Sequence, residues 1–230
     1  MKFFLAIVAL VGFASSSEVE DLEACKLFLQ CAHKAMDGGV PSIPIPNHNP
    51  LQIQDVIYGN TAYAANVTNN VLYNLTDFAV TQLNATTYEN PGRVAYYYNV
   101  YWPQLNFTGE FDIAIYTKFF PLRFHGTYNI DMREINWRGI FNLTKPGQEG
   151  VKEHLDDFTL KSKAKSVKVT FQGINGILAL ALETSFTSAI GILMNNFPED
   201  AAVFLKEQRF NGFWLANPDK IDQLIAFCNQ

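Results

Sequence analysis

Cysteine is scarce in this chain, and its three copies, Cys25, Cys31 and Cys228, make an odd number. At most one intramolecular disulfide can form, and one thiol is left over. Basic residues are also few: the formal charge of -5 at pH 7 offers no cationic excess to a polyanion, which argues against nucleic acid as a partner. Reactive motifs are missing too. The chain has no Gly-x-Ser-x-Gly elbow, phosphate loop or His-Glu-x-x-His, and His33, His48, His125 and His154 are scattered without metal-ligand spacing. A glycosidase needs two convergent carboxylates. Glu110 and Asp112 form the one pair on a strand face that draws notice, and both point to the solvent side. The expectation is a non-enzymatic protein with no catalytic residue, no metal and no cofactor.

Uninterrupted apolar sequence is confined to the N-terminus, where Lys2 precedes the run Phe3 to Phe13 and then Ala14, Ser15, Ser16 and Ser17. That order reads as a secretory signal peptide over residues 1–17, because the run is shorter than the ~20 residues a membrane span requires. Cleavage between Ala14 and Glu18 would leave residues 18–230 as a single domain in the extracellular space. Asn-x-Thr sequons at Asn66, Asn74, Asn84, Asn106 and Asn142 agree, since they are glycan acceptors only in a secreted chain. Later in the chain, Glu183 interrupts the apolar segment Ile174 to Met194, so no stable membrane insertion is expected. With 48% hydrophobic residues over 230 positions the chain can bury one sizeable core.

Residues Glu18 to Met36 carry Leu22, Cys25, Leu29, Ala32 and Met36 near helical spacing, with acidic residues in the first turns. Two cysteines six positions apart inside one regular helix could not be bridged. A Cys25 just ahead of the helix start would remove that objection. Gly38 and Gly39 stop the helix, and Pro41, Pro44, Pro46 and Pro50 make the next segment an extended connector.

From Tyr96 to Phe171 long stretches alternate, the signature of strands with one buried and one wet face. Phe107, Phe111, Ile113 and Ile115 oppose Asn106, Thr108, Glu110 and Asp112. Phe124, Tyr128, Ile130 and Met132 form a second apolar face, and Ile135, Trp137, Phe141 and Leu143 a third. The parity slips between Met132 and Ile135, which predicts a turn or bulge there. Lys161, Lys163 and Lys165 then mark a solvated strand face or a guarded sheet edge.

Beyond Gly176 the period becomes helical, with Leu178, Leu182, Phe186, Ala189, Ile190, Leu193 and Phe197 in one broad stripe. So little polar surface predicts a largely buried helix. Shorter helices are expected over Glu199 to Gln208 and Asp219 to Phe227. The fold class is therefore α+β: a long, strongly curved antiparallel β-sheet wrapped around a long C-terminal α-helix, with any gap between them a hydrophobic tunnel. Its candidate lining is Tyr96, Tyr98, Phe111, Ile113, Ile115, Phe124, Tyr128, Ile130, Trp137, Phe141, Phe171, Leu182, Phe186 and Leu193. Among these Tyr96, Tyr98, Tyr128 and Trp137 offer polar handles.

The connector Gly39 to Ile53, with its Val-Pro, Ile-Pro and Asn-Pro-Leu steps, resembles a segment of the insect juvenile-hormone-binding and takeout-like family. Trp102-Pro103-Gln104-Leu105 through Gly109, Phe111 and Ile113, then Pro121-Leu122 and Gly126, is similar to that family's central strands. Leu155 to Lys161 running into Val167 to Gly176 is similar to the strands before its long helix. The resemblance implies a tubular lipid-binding fold and a disulfide between Cys25 and Cys31. It also implies a small hydrophobic partner inside: a juvenile-hormone-like terpenoid, a fatty acid or another long-chain lipophile. Asn49 where the family has Asp, the short cysteine spacing and the tail from Phe210 depart from its pattern. A secreted interaction protein, or a binder of microbial lipid surfaces, is the alternative function for the same fold.

Overall fold

The computed structural model describes residues 33, 35–37, 50–61, 63–87, 93–116, 121–144, 154–174 and 176–196, and in the C-terminal region 202–203, 206–207, 211–212, 223 and 226–227. Cys25, Cys31, Cys228, the signal segment and nearly all of the proline-rich connector lie outside them. His33 and residues 35–37 are helical, with Ala35 and Met36 buried, as expected for the end of the first helix.

Among the described residues, eight strands make one antiparallel, curved sheet: β1 (Leu51–Ile53), β2 (Val56–Gly59), β3 (Tyr63–Tyr73), β4 (Ala79–Thr87), β5 (Arg93–Tyr116), β6 (Pro121–Thr144), β7 (His154–Phe158) and β8 (Lys161–Gln172). The long helix α1 (Gly176–Asn195) follows. The spine is the hairpin of β5 and β6, 24 residues each, paired from Arg93↔Thr144 to Tyr116↔Pro121. A straight strand of that length would reach about 80 Å. Over that length the ordinary right-handed twist between paired strands accumulates into a coil.

The flanking strands are interrupted rows. β3 and then β4 run along one side of β5, covering Asn106–Ile115 and Val94–Tyr101 respectively. β8 and β7 run along β6 in the same manner. The gap between β3 and β4 falls at residues 102–105 of β5, and Pro103, which has no N–H to donate, sits in it. Into the same gap Trp102, fully buried, donates its Nε1–H to Leu75 O at 3.0 Å.

The expected parity slip is present, in a form that keeps the register. Glu134 adopts a left-handed φ of 49°, yet the pairs Trp102↔Ile135 and Gln104↔Arg133 continue across it. Pro103, Glu134 and Lys165 face one another in one row, and Lys165 bonds Glu134 at 2.6 Å. The buried set changes parity on all three strands at this row: Tyr98, Val100 and Trp102 give way to Leu105 and Phe111 on β5, and Ala164 gives way to Val169 on β8. Because the strands slip together, no ladder is lost. The row divides the sheet into an upper half (Arg93–Trp102 with Ile135–Thr144) and a lower half (Gln104–Tyr116 with Pro121–Arg133).

Aromatic side chains lie over glycines across the central hairpin. Tyr98 faces Gly139 and Tyr128 faces Gly109. A Cβ on Gly109 would stand 2.6 Å from Tyr128 Oη, and one on Gly139 would stand 1.9 Å from Thr159 O. These glycines are close-approach sites that let a ring cross the neighbouring strand.

The helix departs from the sequence expectation. No residue of α1 is fully buried, and Leu178, Phe186, Ala189 and Leu193 of the expected stripe are exposed. The half-buried residues are Ala179, Leu182, Glu183, Thr187, Ile190, Gly191 and Met194. The reason lies at the sheet edge. Among the described residues β8 has β6 as its strand partner on one side, and its outward N–H groups need acceptors. Glu183 Oε1 accepts from Phe171 N at 2.9 Å, and Thr187 Oγ1 accepts from Val169 N at 3.0 Å. A helix apolar all round has no hydrophobic preference for one rotation; these two acceptors set it. Farther along the row, Asn211 accepts from Leu155 N at 2.9 Å and donates to Leu155 O at 3.1 Å, so it covers the edge of β7. Glu183 had also been expected to disqualify this segment as a membrane span, but α1 is long and apolar enough to cross a membrane by length and composition. One carboxylate in twenty residues is too little to offset the rest.

Candidate functional site

The candidate lining residues separate at the Pro103–Glu134–Lys165 row. In the upper half Tyr96 and Phe141 are stacked at 4.9 Å, Tyr98 lies 5.9 Å from Phe141 and 6.2 Å from Phe158, and Trp137 meets Trp102 edge-on at 4.9 Å. Tyr96, Tyr98, Phe141 and Trp102 are buried. This cluster is filled by its own rings. Phe78 extends it from Trp102 at 5.9 Å to His33 at 5.3 Å, and so ties in the N-terminal helical residues.

In the lower half the rings form a relay from sheet to helix. Phe111 meets Phe171 edge to face at 5.5 Å, and Phe171 meets Phe186 of α1 at 5.4 Å. Ile113 and Phe124 are register partners, and Phe107 pairs with Ile130. Ile113, Phe124, Ile130, Phe171 and Leu182 are each half-buried. This half therefore presents apolar surface that the protein has only partly covered. Ile115 at the strand end and Leu193 on α1 stand exposed, apart from the relay.

Of the polar handles, Tyr98 and Tyr128 hydrogen-bond within the protein. Tyr98 donates to Thr159 O at 2.8 Å, and burial pushes its hydroxyl pKa up. Tyr128 donates to Asn70 Oδ1 at 2.6 Å, with its pKa pushed up to about 12 by burial. Asn70 is itself buried, and its Nδ2 donates to Val67 O at 3.1 Å.

A cavity of about 360 Å³ opens on the other face of the lower half. Its walls come from β3, β5, β6 and β8, and from the candidate lining residues it takes only Tyr128. Nearby, burial would raise the Asp131 pKa, but hydrogen bonds from Arg133 and Gln104 hold its carboxyl below the ordinary range.

Of the expected glycan acceptors, Asn66 and Asn84 are exposed, while Asn74, Asn106 and Asn142 are half-buried. Glu110 and Asp112 both stand exposed, as does the lysine stripe. Among the described residues no group of three or more His, Cys, Asp or Glu is placed to hold a metal.

Patterning missed Trp102, Asn70 and Phe158. Trp102 lies next to Pro103, where alternation breaks, and Asn70 is a polar residue turned inward by the irregularity between Thr68 and Val71, where Asn69 has a φ of 52°.

The sequence profile of the haemolymph juvenile hormone binding protein family matches residues 11–204. No curated protein sequence matches the chain significantly. Solved structures that match include Takeout 1 of Epiphyas postvittana, at 14% identity over 89% of this chain and 90% of that one, with a TM-score of 0.44. A lipopolysaccharide binding protein matches at 14% identity over 86% of this chain and 39% of its own length, with a TM-score of 0.38.

Proposed function

The chain belongs to the haemolymph juvenile hormone binding protein family, and from that premise we propose that it is a secreted glycoprotein carrier of a small hydrophobic ligand. The guest lies against the inner face of the lower half, between the sheet and α1. The observation that carries this reading is the Phe111–Phe171–Phe186 relay, with half-buried Ile113, Phe124, Ile130 and Leu182 beside it. Covering such surface yields about 25 cal/mol per Å² before the costs of association. Nothing in the mechanism requires proton transfer or a nucleophile: capture is desolvation of the guest, and release is its reversal. A terpenoid, a fatty acid or another long-chain lipophile fits this chemistry.

Native mass spectrometry of enzymatically deglycosylated protein from a eukaryotic secretion host, followed by organic extraction, tests the proposal. A stoichiometric lipophile released on denaturation is expected, with thermal stability rising as ligand is added. Protein that stays empty and gains no stability from a panel of terpenoids and fatty acids rejects it.

A second reading, docking on a lipid surface, is favoured by the uncovered apolar residues of α1, Ile177, Leu180 and Ile192, on the element that follows the lysine-bearing strand β8. Flotation of the protein with anionic vesicles, lost when Lys161 and Lys163 are neutralised, would move this reading ahead of the carrier.

A further inference from the structure

The cavity on the outer face of the lower half has a lining unlike that of a lipophile site. Two adjacent cross-strand rows build it: Val71, Thr108, Asn129 and Thr170 in one, and Glu110, Thr127 and Gln172 in the next. Threonine hydroxyls, two amides and a single carboxylate therefore stand in a regular lattice. No Lys, Arg or His lines it, which disfavours a phosphate, sulfate or carboxylate guest. One carboxylate is too few to cage a hard cation.

Three features show a site in want of a hydrogen-bonding guest. Asn129 lines the cavity, and its Oδ1 is buried without a hydrogen-bond partner. The wall at Asn69 is preorganised, because its left-handed backbone is tied by Asn69 N donating to Asp55 Oδ1 at 3.0 Å. Tyr73, 39% exposed, offers a ring at the rim.

We propose that this trough is a saccharide-binding site for neutral hexose or N-acetylhexosamine units. Sugar hydroxyls would donate to the Glu110 carboxylate and accept from the threonines and the Gln172 amide, while Tyr73 packs against the apolar face of a pyranose. Two sources can supply the sugar. One is a glycan on the chain itself: Asn106, in the sequon Asn106-Phe107-Thr108, is the register partner of Tyr73 and shares the face of Thr108. The other is a free saccharide. The site lies across the sheet from the lipophile face and stands independently of the carrier reading.

The experiment uses the full chain from a eukaryotic secretion host, with and without enzymatic removal of N-glycans from the folded protein. Saturation-transfer NMR with chitobiose and maltose is the readout. The deglycosylated protein is expected to bind at least one of them. Thr127→Val with Gln172→Val, both exposed strand positions, should weaken that binding at least about tenfold without changing the melting temperature. Binding that appears only after deglycosylation, or in Asn106→Gln without it, makes the attached glycan the natural occupant. Equal binding before and after makes a free saccharide the ligand. No saturation transfer to either sugar in any of these proteins, or binding that the paired valines leave unchanged, overturns the proposal. Deglycosylation of already folded protein keeps the test open should Asn106→Gln fail to fold.

Discussion

The two halves of the sheet share the same two long strands and differ in what they do with aromatic residues. Above the Pro103–Glu134–Lys165 row, Tyr96, Tyr98 and Phe141 are buried with Phe158 in one set of rings, and Trp102 is buried against Phe78 and Trp137. Below it, Phe171 is half-buried and Phe186 is 45% exposed. The upper half has completed its core with its own rings. The lower half has left half-covered apolar surface on one face and a trough of hydroxyl and amide groups on the other, and both proposed sites lie there. A binding surface is a place where the fold stops short of satisfying itself.

Truncation should separate the halves most sharply. Trp102→Ala removes the largest fully buried side chain together with its bond to Leu75 O and is expected to cost about 3–5 kcal/mol in denaturant unfolding. Phe186→Ala should cost less than about 1 kcal/mol while lowering ligand affinity. Equal losses at the two positions would dissolve the division.

Crowding is the next test. In Gly139→Ala the new Cβ meets Thr159 O at 1.9 Å, so a loss of about 2 kcal/mol is expected. Gly191→Ala on α1 has nothing within 4 Å and should be neutral or gain up to about 1 kcal/mol. Thermal melts of the pair measure whether α1 is as open as described.

Tyr128→Phe bears on the lower half alone. It leaves Asn70 Oδ1 buried without its donor, for an expected loss of about 1–2 kcal/mol. Asn70→Leu combined with Tyr128→Phe should recover part of that loss if hydrogen bonding, and not ring packing, is the cause.

The smallest effect is electrostatic. Asp131 titrates lower folded than unfolded, because hydrogen bonds from Arg133 and Gln104 outweigh its burial. Its contribution is therefore present at neutral pH and disappears as pH falls through the acid range below an ordinary carboxylate pKa. Asp131→Asn should flatten the stability profile there by at most about 1 kcal/mol, given that Arg133 is largely exposed.

Much of the lower and upper hairpin was legible in advance. Alternation placed Phe107, Phe111 and Ile113 on one face and Ile135, Trp137 and Phe141 on another, because a strand period of two cannot be disguised where one face is buried. The slip at Glu134 was legible for the same reason. Strands β1 to β4 were not read, since segments such as Tyr63–Tyr73 are rich in Asn, Ala and Thr and gain their strand state from pairing with β5. The candidate lining residues share a face by alternation, and a shared face does not tell a filled core from an open surface.

Local chemistry along the chain thus determined which residues alternate, where the long helix begins and where the ladder must slip, since these follow from spacing between near neighbours. Tertiary structure alone decided that Glu183 and Thr187 turn α1 toward the edge of β8, that Tyr98 and Tyr128 spend their hydroxyls on the protein, and that two rows of the polar face close into a trough. Each of those outcomes depends on which distant backbone groups are left unpaired, a quantity that exists only once the strands have met.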